Sequence, residues 1–312
     1  MPAFTATAPG KIILFGEHAV VYGQPAMAVP VTGVQARAVA LAAPRAEPGM
    51  VQIQAPDIGL EAFLHTLPVD HPLAAAVGGV FKALGVSRPP AFTLRITSTI
   101  PVAAGMGSGA AVSVAIIRAV SAFLGHPFSV EQVSALAFEV EKLHHGTPSG
   151  IDNTVVAYAR PVYFVRGRPL ETFTTPQPLT IVIGDTGVAS PTAIAVGDVR
   201  SAWQADPGPY EALFLRIGQV VRSARAAIER GQVSSLGPLM DENHHLLRQI
   251  GVSSPELEHL VESARQAGAL GAKLSGGGRG GNMIALASAE NAAIIARRLE
   301  EAGATRTLIT TI

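Results

Sequence analysis

Ile100-Pro101-Val102-Ala103-Ala104-Gly105-Met106-Gly107-Ser108-Gly109-Ala110-Ala111-Val112-Ser113 is the stretch on which the reading of this chain turns. A strand pattern, Ala91 to Thr97, precedes it, and Ala110 to Leu124 after it has helical spacing. A strand therefore runs through a proline-led loop of small residues into an apolar helix. A loop without bulky side chains can close its backbone on an anion, and the helix it opens offers unpaired N–H groups and the positive end of its dipole. That is the physics of a phosphate cradle. No Gly-Lys-Ser/Thr follows, so the loop is not a Walker A motif. The same residues also suit a tight strand–helix turn with Ser108 as N-cap, and alone they do not choose between the two readings.

Two more glycine-rich segments flank it at a distance. Ala8-Pro9-Gly10-Lys11-Ile12-Ile13-Leu14-Phe15-Gly16-Glu17-His18-Ala19-Val20-Val21-Tyr22-Gly23 carries a lysine at the start of an apolar strand and an acid–histidine pair past its end. A lysine at a phosphate site supplies a point charge and three donors, although taken alone this one reads rather as a solvated lysine before an edge strand. Lys273-Leu274-Ser275-Gly276-Gly277-Gly278-Arg279-Gly280-Gly281-Asn282 lies between two strand patterns. A hairpin needs one or two glycines; this excess, entropically costly, implies close approach of backbone to a ligand or to other backbone. Glu141-Lys142-Leu143-His144-His145-Gly146-Thr147-Pro148-Ser149-Gly150-Ile151-Asp152-Asn153 ends one helix near His145, with Gly146 as its C-cap, and starts another at Ser149. Asp152 then has two readings, a general base or the acid of a capping box with Ser149.

The remaining chain fits an α+β protein. Strand patterns occur at Lys11–Phe15, Gln35–Leu41, Pro161–Val165, Ile181–Ile183, Leu270–Leu274, Asn282–Leu286 and Thr305–Thr311, and helical ones at Leu73–Leu84, Val130–His144, Pro191–Trp203, Tyr210–Arg230, Val233–Ile250, Pro255–Ala267 and Ala289–Ala302. A boundary is expected in the turn-rich stretch 166–180, dividing the chain into 1–170 and 171–312. The 312 residues carry 23 Lys+Arg against 23 Asp+Glu. That balance argues against nucleic-acid or anionic-membrane partners, which need a basic surplus. With no cysteine, disulfides, thiolate catalysis and Cys-ligated zinc are excluded. The uncharged run Ile96–Ile117 is interrupted by Pro101 and three glycines, so it is not expected to span a membrane. Met1 to Thr7 lacks the pattern of a signal peptide, and a cytoplasmic location is expected.

In this order the segments resemble the kinase superfamily of galactokinase, homoserine kinase, mevalonate kinase and phosphomevalonate kinase. Its signatures are a Pro-Gly-Lys strand opening, a proline-led glycine/serine loop entering a helix, and a late glycine-rich hairpin. Together they cover residues 8 to 286. The likeness is greatest to the mevalonate kinases, on Gly16 to Gly23, on His145 to Asn153, and on Asp185-Thr186-Gly187-Val188-Ala189-Ser190-Pro191-Thr192. Other branches depart from this chain: diphosphomevalonate decarboxylases lack the lysine matching Lys11, and homoserine kinases lack the aspartate matching Asp152.

The resemblance implies a two-domain fold, with a ribosomal-S5-like ATP-binding half (1–170), a ferredoxin-like half (171–312) and an active site in the cleft between them. It implies ATP-dependent phosphorylation of the mevalonate 5-hydroxyl with Mg²⁺. ATP would be held by Pro101, Ala104, Gly105, Met106, Gly107, Ser108, Gly109 and Ala110, and by Gly276, Gly277 and Gly278. The metal would fall to Glu141 and Ser108. Lys11 would polarise the γ-phosphate, and Asp152 would take the hydroxyl proton. Lys11, Glu17, His18, Val20, Gly150, Asp152, Thr192 and Gly277 would face the substrate, His18 as a neutral imidazole donating to its carboxylate or hydroxyl. Oligomeric state is left open, a homodimer included. Two positions depart from the family pattern. Gly109 stands where the family has a second serine that contacts Mg²⁺, and Arg279 stands where glycine is usual; the arginine is expected to face solvent or pair with a carboxylate. The rival readings are a neighbouring isoprenoid kinase and a non-catalytic binding protein on the same fold.

Overall fold

The computed structural model describes residues 3–101, 105–145, 148–190 and 192–312. The chain forms two compact units that interleave in sequence. The first comprises residues up to Gly10, Val34–Pro101 and Gly107–Ala159; the second comprises Lys11–Gly33, the segment ending at Met106, and Arg160–Ile312. Two long strands, β1 (Ala3–Phe15) and β2 (Ala26–Ala42), each begin in one unit and end in the other.

In the first unit β2 pairs antiparallel with β5 (Phe92–Ser98), from Ala36 opposite Ser98 to Ala42 opposite Phe92. β3 (Val51–Ala55) runs parallel to β5 and antiparallel to β4 (Leu60–Phe63). The helices are α1 (Pro72–Leu84), α2 (Ser108–Phe123), α3 (Val130–His145) and α4 (Ile151–Tyr158). α1 starts on Pro72, with the His71 ring accepting from the Leu73 N–H, and stops on Gly85 in the left-handed region. α2 is made of Ala, Val and Ile almost all round, and ten of its residues are buried. A helix apolar on every side must sit inside, and α2 packs against α1, α3 and α4. Phe4, Phe92 and Phe123 close the core, with Phe92 and Phe123 centroids 4.7 Å apart.

In the second unit Ala26–Ala28 of β2 pairs with β6 (Val162–Phe164), which pairs with the short β7 (Glu171–Thr172). Four antiparallel strands form its other sheet in the order β11 (Arg306–Thr311), β8 (Thr180–Asp185), β10 (Asn282–Ala287), β9 (Gly271–Ser275). The helices are α5 (Thr192–Ala205), α6 (Pro207–Glu229), α7 (Leu236–Ile250), α8 (Pro255–Gln266) and α9 (Ala292–Glu301). α7 and α8 lie on β9, and α9 lies on β8 and β11. α7 comes unusually close: a Cβ on Gly237 would stand 1.9 Å from the Leu270 carbonyl oxygen, and one on Gly271 would stand 2.2 Å from that of Gly237. Only glycine at both positions permits this approach. It sets α7 beside the strand that carries Lys273.

The expected elements are present with shifted ends. β1 and β2 are longer than their patterns, and β3 and β4 were not anticipated. Among the described residues no helix is long and apolar enough to cross a membrane, in keeping with the reading of Ile96–Ile117.

Candidate functional site

The site residues fall into two groups, one in each unit. Those of the second unit cluster around the end of β1. Lys11, 3 % exposed, donates its backbone N–H to the Met106 carbonyl (3.0 Å), tying the strand to the loop that leads towards α2. Two residues on, the Ile13 N–H donates to Ser275 Oγ (3.1 Å), and Ser275 Oγ donates back to the Ile13 carbonyl (3.0 Å). β1 is thus bound to the start of the glycine hairpin. A Cβ on Gly276 would lie 3.7 Å from the Gly105 carbonyl oxygen, so the two glycine segments of this unit run side by side.

Past Phe15 the chain turns sharply. Glu17 and His18 are both buried, and His18 holds a positive φ of 58°, a strained conformation for a residue with a side chain. Its Nε2–H donates to the Gly277 carbonyl at 2.9 Å. Burial lowers the imidazole pKa to about 4, so the ring is neutral at physiological pH. A neutral imidazole has one N–H, and here Gly277 takes it. The expectation that His18 donates to a substrate is therefore not met; the ring has the acceptor Nδ1 to offer instead. Val20, also buried, follows in a single 3₁₀ turn, Ala19–Tyr22.

Glu17 forms an ion pair with Lys273 of β9, both side chains 0 % exposed, and Lys273 Nζ also donates to the Leu274 carbonyl at 2.6 Å. Burial pushes the Glu17 carboxyl up, opposed by the charge of Lys273, and burial pushes the Lys273 amine down. The sequence reading gave Lys273 no role. The available signal was a cation in a strand whose other residues are Gly271, Ala272, Leu274 and Ser275. α7 supports the same turn, because Asn243 Oδ1 accepts from the Gly16 N–H (3.2 Å). Its neighbour His244 accepts from the Leu274 N–H through Nδ1 (3.3 Å). His244 Nε2 lies 3.1 Å from Glu258 Oε1 without the alignment of a hydrogen bond. Burial takes the His244 pKa to about 4 as well.

The hairpin tip is fastened on both sides. Ser190 Oγ donates to the Gly278 carbonyl (2.7 Å), the Gly281 N–H to the Val188 carbonyl (2.8 Å), and the Arg279 N–H to the Val252 carbonyl (2.8 Å). A Cβ on Gly277 would stand 2.8 Å from Thr192 Oγ1, so Thr192 lies against this glycine. Arg279 occupies the left-handed region at φ 59° and pairs with Asp198 of α5. This meets the expectation of a carboxylate partner.

The first unit holds Pro101, Gly107 to Ala110, Glu141, Gly150 and Asp152; Ala104 lies outside the described residues. The N-cap of α2 is Gly107 in the left-handed region (φ 69°) with no side-chain cap, so Ser108 is the first helical residue and not the cap. Gly109 faces open space, where a Cβ would meet nothing within 4 Å. A short connection makes α2 and α3 antiparallel neighbours. Ser108 at the start of α2 and Glu141 near the end of α3 therefore share one end of the helical layer, with α4 packed on both helices. Glu141 is 7 % exposed. α4 opens at Ile151, two residues later than expected, because Gly150 is its N-cap at φ 91°. Ser149 Oγ accepts from the Ile151 N–H at 3.3 Å. The capping-box reading needs Ser149 as N-cap and is not met. Asp152 stands half-exposed in the first turn of α4.

Among the described residues no three His, Cys, Asp or Glu side chains converge as an all-protein metal cage requires. A buried carboxylate such as Glu141 is a ligand of the kind Mg²⁺ takes, since that ion keeps several waters and needs few protein ligands.

Comparison with known proteins identifies the family. The GHMP kinases N terminal domain profile matches residues 72–160, and the GHMP kinases C terminal profile matches residues 224–305. The mevalonate kinase of Thermococcus gammatolerans is 39% identical over 321 residues, covering 96% of this chain and 93% of that protein. The crystal structure of L. major mevalonate kinase in complex with R-mevalonate superposes with a TM-score of 0.83 at 32% identity, covering 100% of this chain and 96% of that one. Mevalonate kinase from methicillin-resistant Staphylococcus aureus MRSA252 gives 0.74 at 31% identity over 99% of both chains. With these matches the chain belongs to the GHMP kinases and, within them, to the mevalonate kinase family.

Proposed function

We propose that this protein transfers the γ-phosphoryl group of ATP to the 5-hydroxyl of mevalonate. The observation that carries the substrate assignment is the 39% identity to an archaeal mevalonate kinase over 93% of its length. A kinase structure of the same family, at 32% identity, was determined with R-mevalonate.

Phosphoryl transfer is mostly positioning and charge stabilisation. The glycine loop from Gly105 to Gly109, with Pro101 and Ala104 before it and Ala110 after it, holds the ATP phosphates, using the backbone N–H groups that α2 leaves unpaired at its start. Gly276, Gly277 and Gly278 supply further backbone. Lys11 places its ammonium at the γ-phosphate, where it offsets developing charge and favours the alkoxide form of the attacking oxygen. Asp152 accepts the hydroxyl proton. Glu141 and Ser108 would hold Mg²⁺, which would supply neutralisation of phosphate charge; Gly109 has no side chain to add to that set. Glu17, His18, Val20, Gly150 and Thr192 shape the substrate end. There the Nδ1 acceptor of His18 receives a hydrogen bond from a substrate hydroxyl. We keep residue 170 as the division between the ATP-binding half and the C-terminal half.

The test is ADP release measured across mevalonate, phosphomevalonate, homoserine and galactose, with products identified by mass. Turnover of mevalonate to 5-phosphomevalonate is expected. Release with homoserine or galactose alone overturns the assignment, and release with phosphomevalonate alone moves the chain to a neighbouring step.

A further inference from the structure

The second unit contains a cavity of about 540 Å³ that none of the site residues described above lines, although Val21 and Tyr22 of the 3₁₀ turn that follows His18 do. That volume is in the range of small-molecule sites, roughly 300–1,000 Å³. One side of the cavity is aromatic. The Tyr22 ring stacks on Phe214 of α6 with centroids 4.0 Å apart and an interplanar angle of 11°, and Trp203 of α5 meets Tyr22 edge-on at 5.2 Å. Another side is cationic: Arg166, from the turn after β6, and Arg200, one helical turn before Trp203, both line it, with Glu211 opposing them.

Two observations bear on what this cavity can hold. Seven of the fourteen arginines of this unit pair with carboxylates: Arg216, Arg225, Arg248, Arg265, Arg279, Arg297 and Arg298. Among the described residues Arg166 and Arg200 have no such partner. In addition, Tyr22 Oη and Trp203 Nε1 are buried without a hydrogen-bond partner. Each is a donor whose burial is costly until an acceptor reaches it. Burial raises the Tyr22 phenol pKa, and the charge of Arg200 acts on it in the opposite sense. Arginine charge and an aromatic hydroxyl thus face the same space.

We propose that this cavity is a ligand site separate from the substrate site, taking an organic anion with an apolar body: an alkyl phosphate or carboxylate. Guanidinium forks match phosphate and carboxylate oxygens two at a time. The aromatic side takes the hydrocarbon, and the two orphaned donors find an acceptor in the anion. Neither half of the ligand suffices, because an inorganic anion leaves the rings uncovered and a neutral alcohol leaves the guanidiniums unpaired.

The chain has one tryptophan, and it is Trp203, so selectively excited tryptophan fluorescence reports on the surroundings of this cavity. The full-length protein is titrated with hexyl phosphate, hexanoate, hexanol and inorganic phosphate, and separately with mevalonate. Hexyl phosphate and hexanoate are expected to give a saturable change in Trp203 emission. Hexanol and inorganic phosphate should each bind at least about tenfold more weakly. Arg166→Gln with Arg200→Gln should weaken hexyl phosphate by tenfold or more and leave hexanol unchanged. Calorimetry on Trp203→Phe keeps the test independent of the probe, and an unchanged melting curve for the arginine variant shows that it folds. The proposal is overturned if hexanol binds as tightly as hexyl phosphate, if the arginine variant retains hexyl phosphate affinity, or if no ligand saturates. It is equally overturned if mevalonate displaces hexyl phosphate competitively, since the cavity would then belong to the substrate site.

Discussion

Replacing Lys273 with methionine isolates the buried charge pair behind the Glu17–His18 turn. Methionine keeps most of the apolar stem volume but removes the ammonium, so Glu17 is left as a carboxylate with no accessible surface and only the weaker influence of Lys11 as counter-charge. Breaking a buried pair by removing one partner costs about 3–5 kcal/mol. At about 2–4 °C per kcal/mol for a chain of this class, the melting temperature should fall by about 6–20 °C. The loss also has a pH signature. Burial already holds the Glu17 carboxyl above its ordinary value of 4.5, with Lys273 the main opposing influence. Without Lys273 the carboxyl moves further up. A group whose folded pKa exceeds its unfolded one contributes stability that is fully present below the unfolded pKa and disappears as pH rises through the folded one. The gap between variant and parent should therefore be small near pH 4.5 and widest at pH 8. Glu17→Gln added to Lys273→Met removes the stranded charge and should restore at least half of the lost stability at pH 8. The measurement is calorimetry of the three variants and the parent at both pH values. A single variant melting within 2 °C of the parent at pH 8, or a double variant as unstable as the single, would refute the argument.

Asp152→Asn should lower kcat by about 10²–10⁴-fold with little change in KM for ATP, measured by steady-state ADP release; near-normal turnover would remove Asp152 from the proton-transfer role. His18 and His244, both at about pKa 4, should cost stability as pH falls from 6.5 towards 4, up to about 3 kcal/mol each. His244→Gln should flatten that slope in urea titrations, and an unchanged slope would show that His244 is not buried as a neutral ring. Gly278→Ala sets a Cβ 1.9 Å from the Val252 carbonyl oxygen at a φ of 76° and should destabilise by at least about 2 kcal/mol. Gly109→Ala, on an open helical surface, should stabilise by a few tenths to about 1 kcal/mol, and equal melting shifts at the two sites would contradict both statements. Gly109→Ser has room for its hydroxyl and should lower the Mg²⁺ concentration giving half-maximal activity, whereas an unaltered Mg²⁺ dependence would place the helix start away from the metal.

What the sequence made legible was local. The helical spacing of Leu73–Leu84 and Val130–His144 needs only neighbours three and four residues away, and both helices form within a residue of where the pattern ends. The glycine hairpin announced a close approach of backbone, and the steric limits at Gly277 and Gly278 supply one. The local cues misplaced caps, because Ser108 and Ser149 each look like a cap while the left-handed positions fall on Gly107 and Gly150. What stayed hidden depends on partners distant in the chain. Lys273 meets Glu17 across 256 residues, and His18 meets Gly277 across 259; no periodicity encodes either pairing. The second contact changes the chemistry, since a carbonyl on the glycine hairpin decides which imidazole nitrogen carries the hydrogen. The hairpin that the family resemblance assigns to ATP is thus also the element that makes His18 an acceptor. Changes in the hairpin that move the Gly277 carbonyl should therefore disturb substrate recognition and nucleotide binding together.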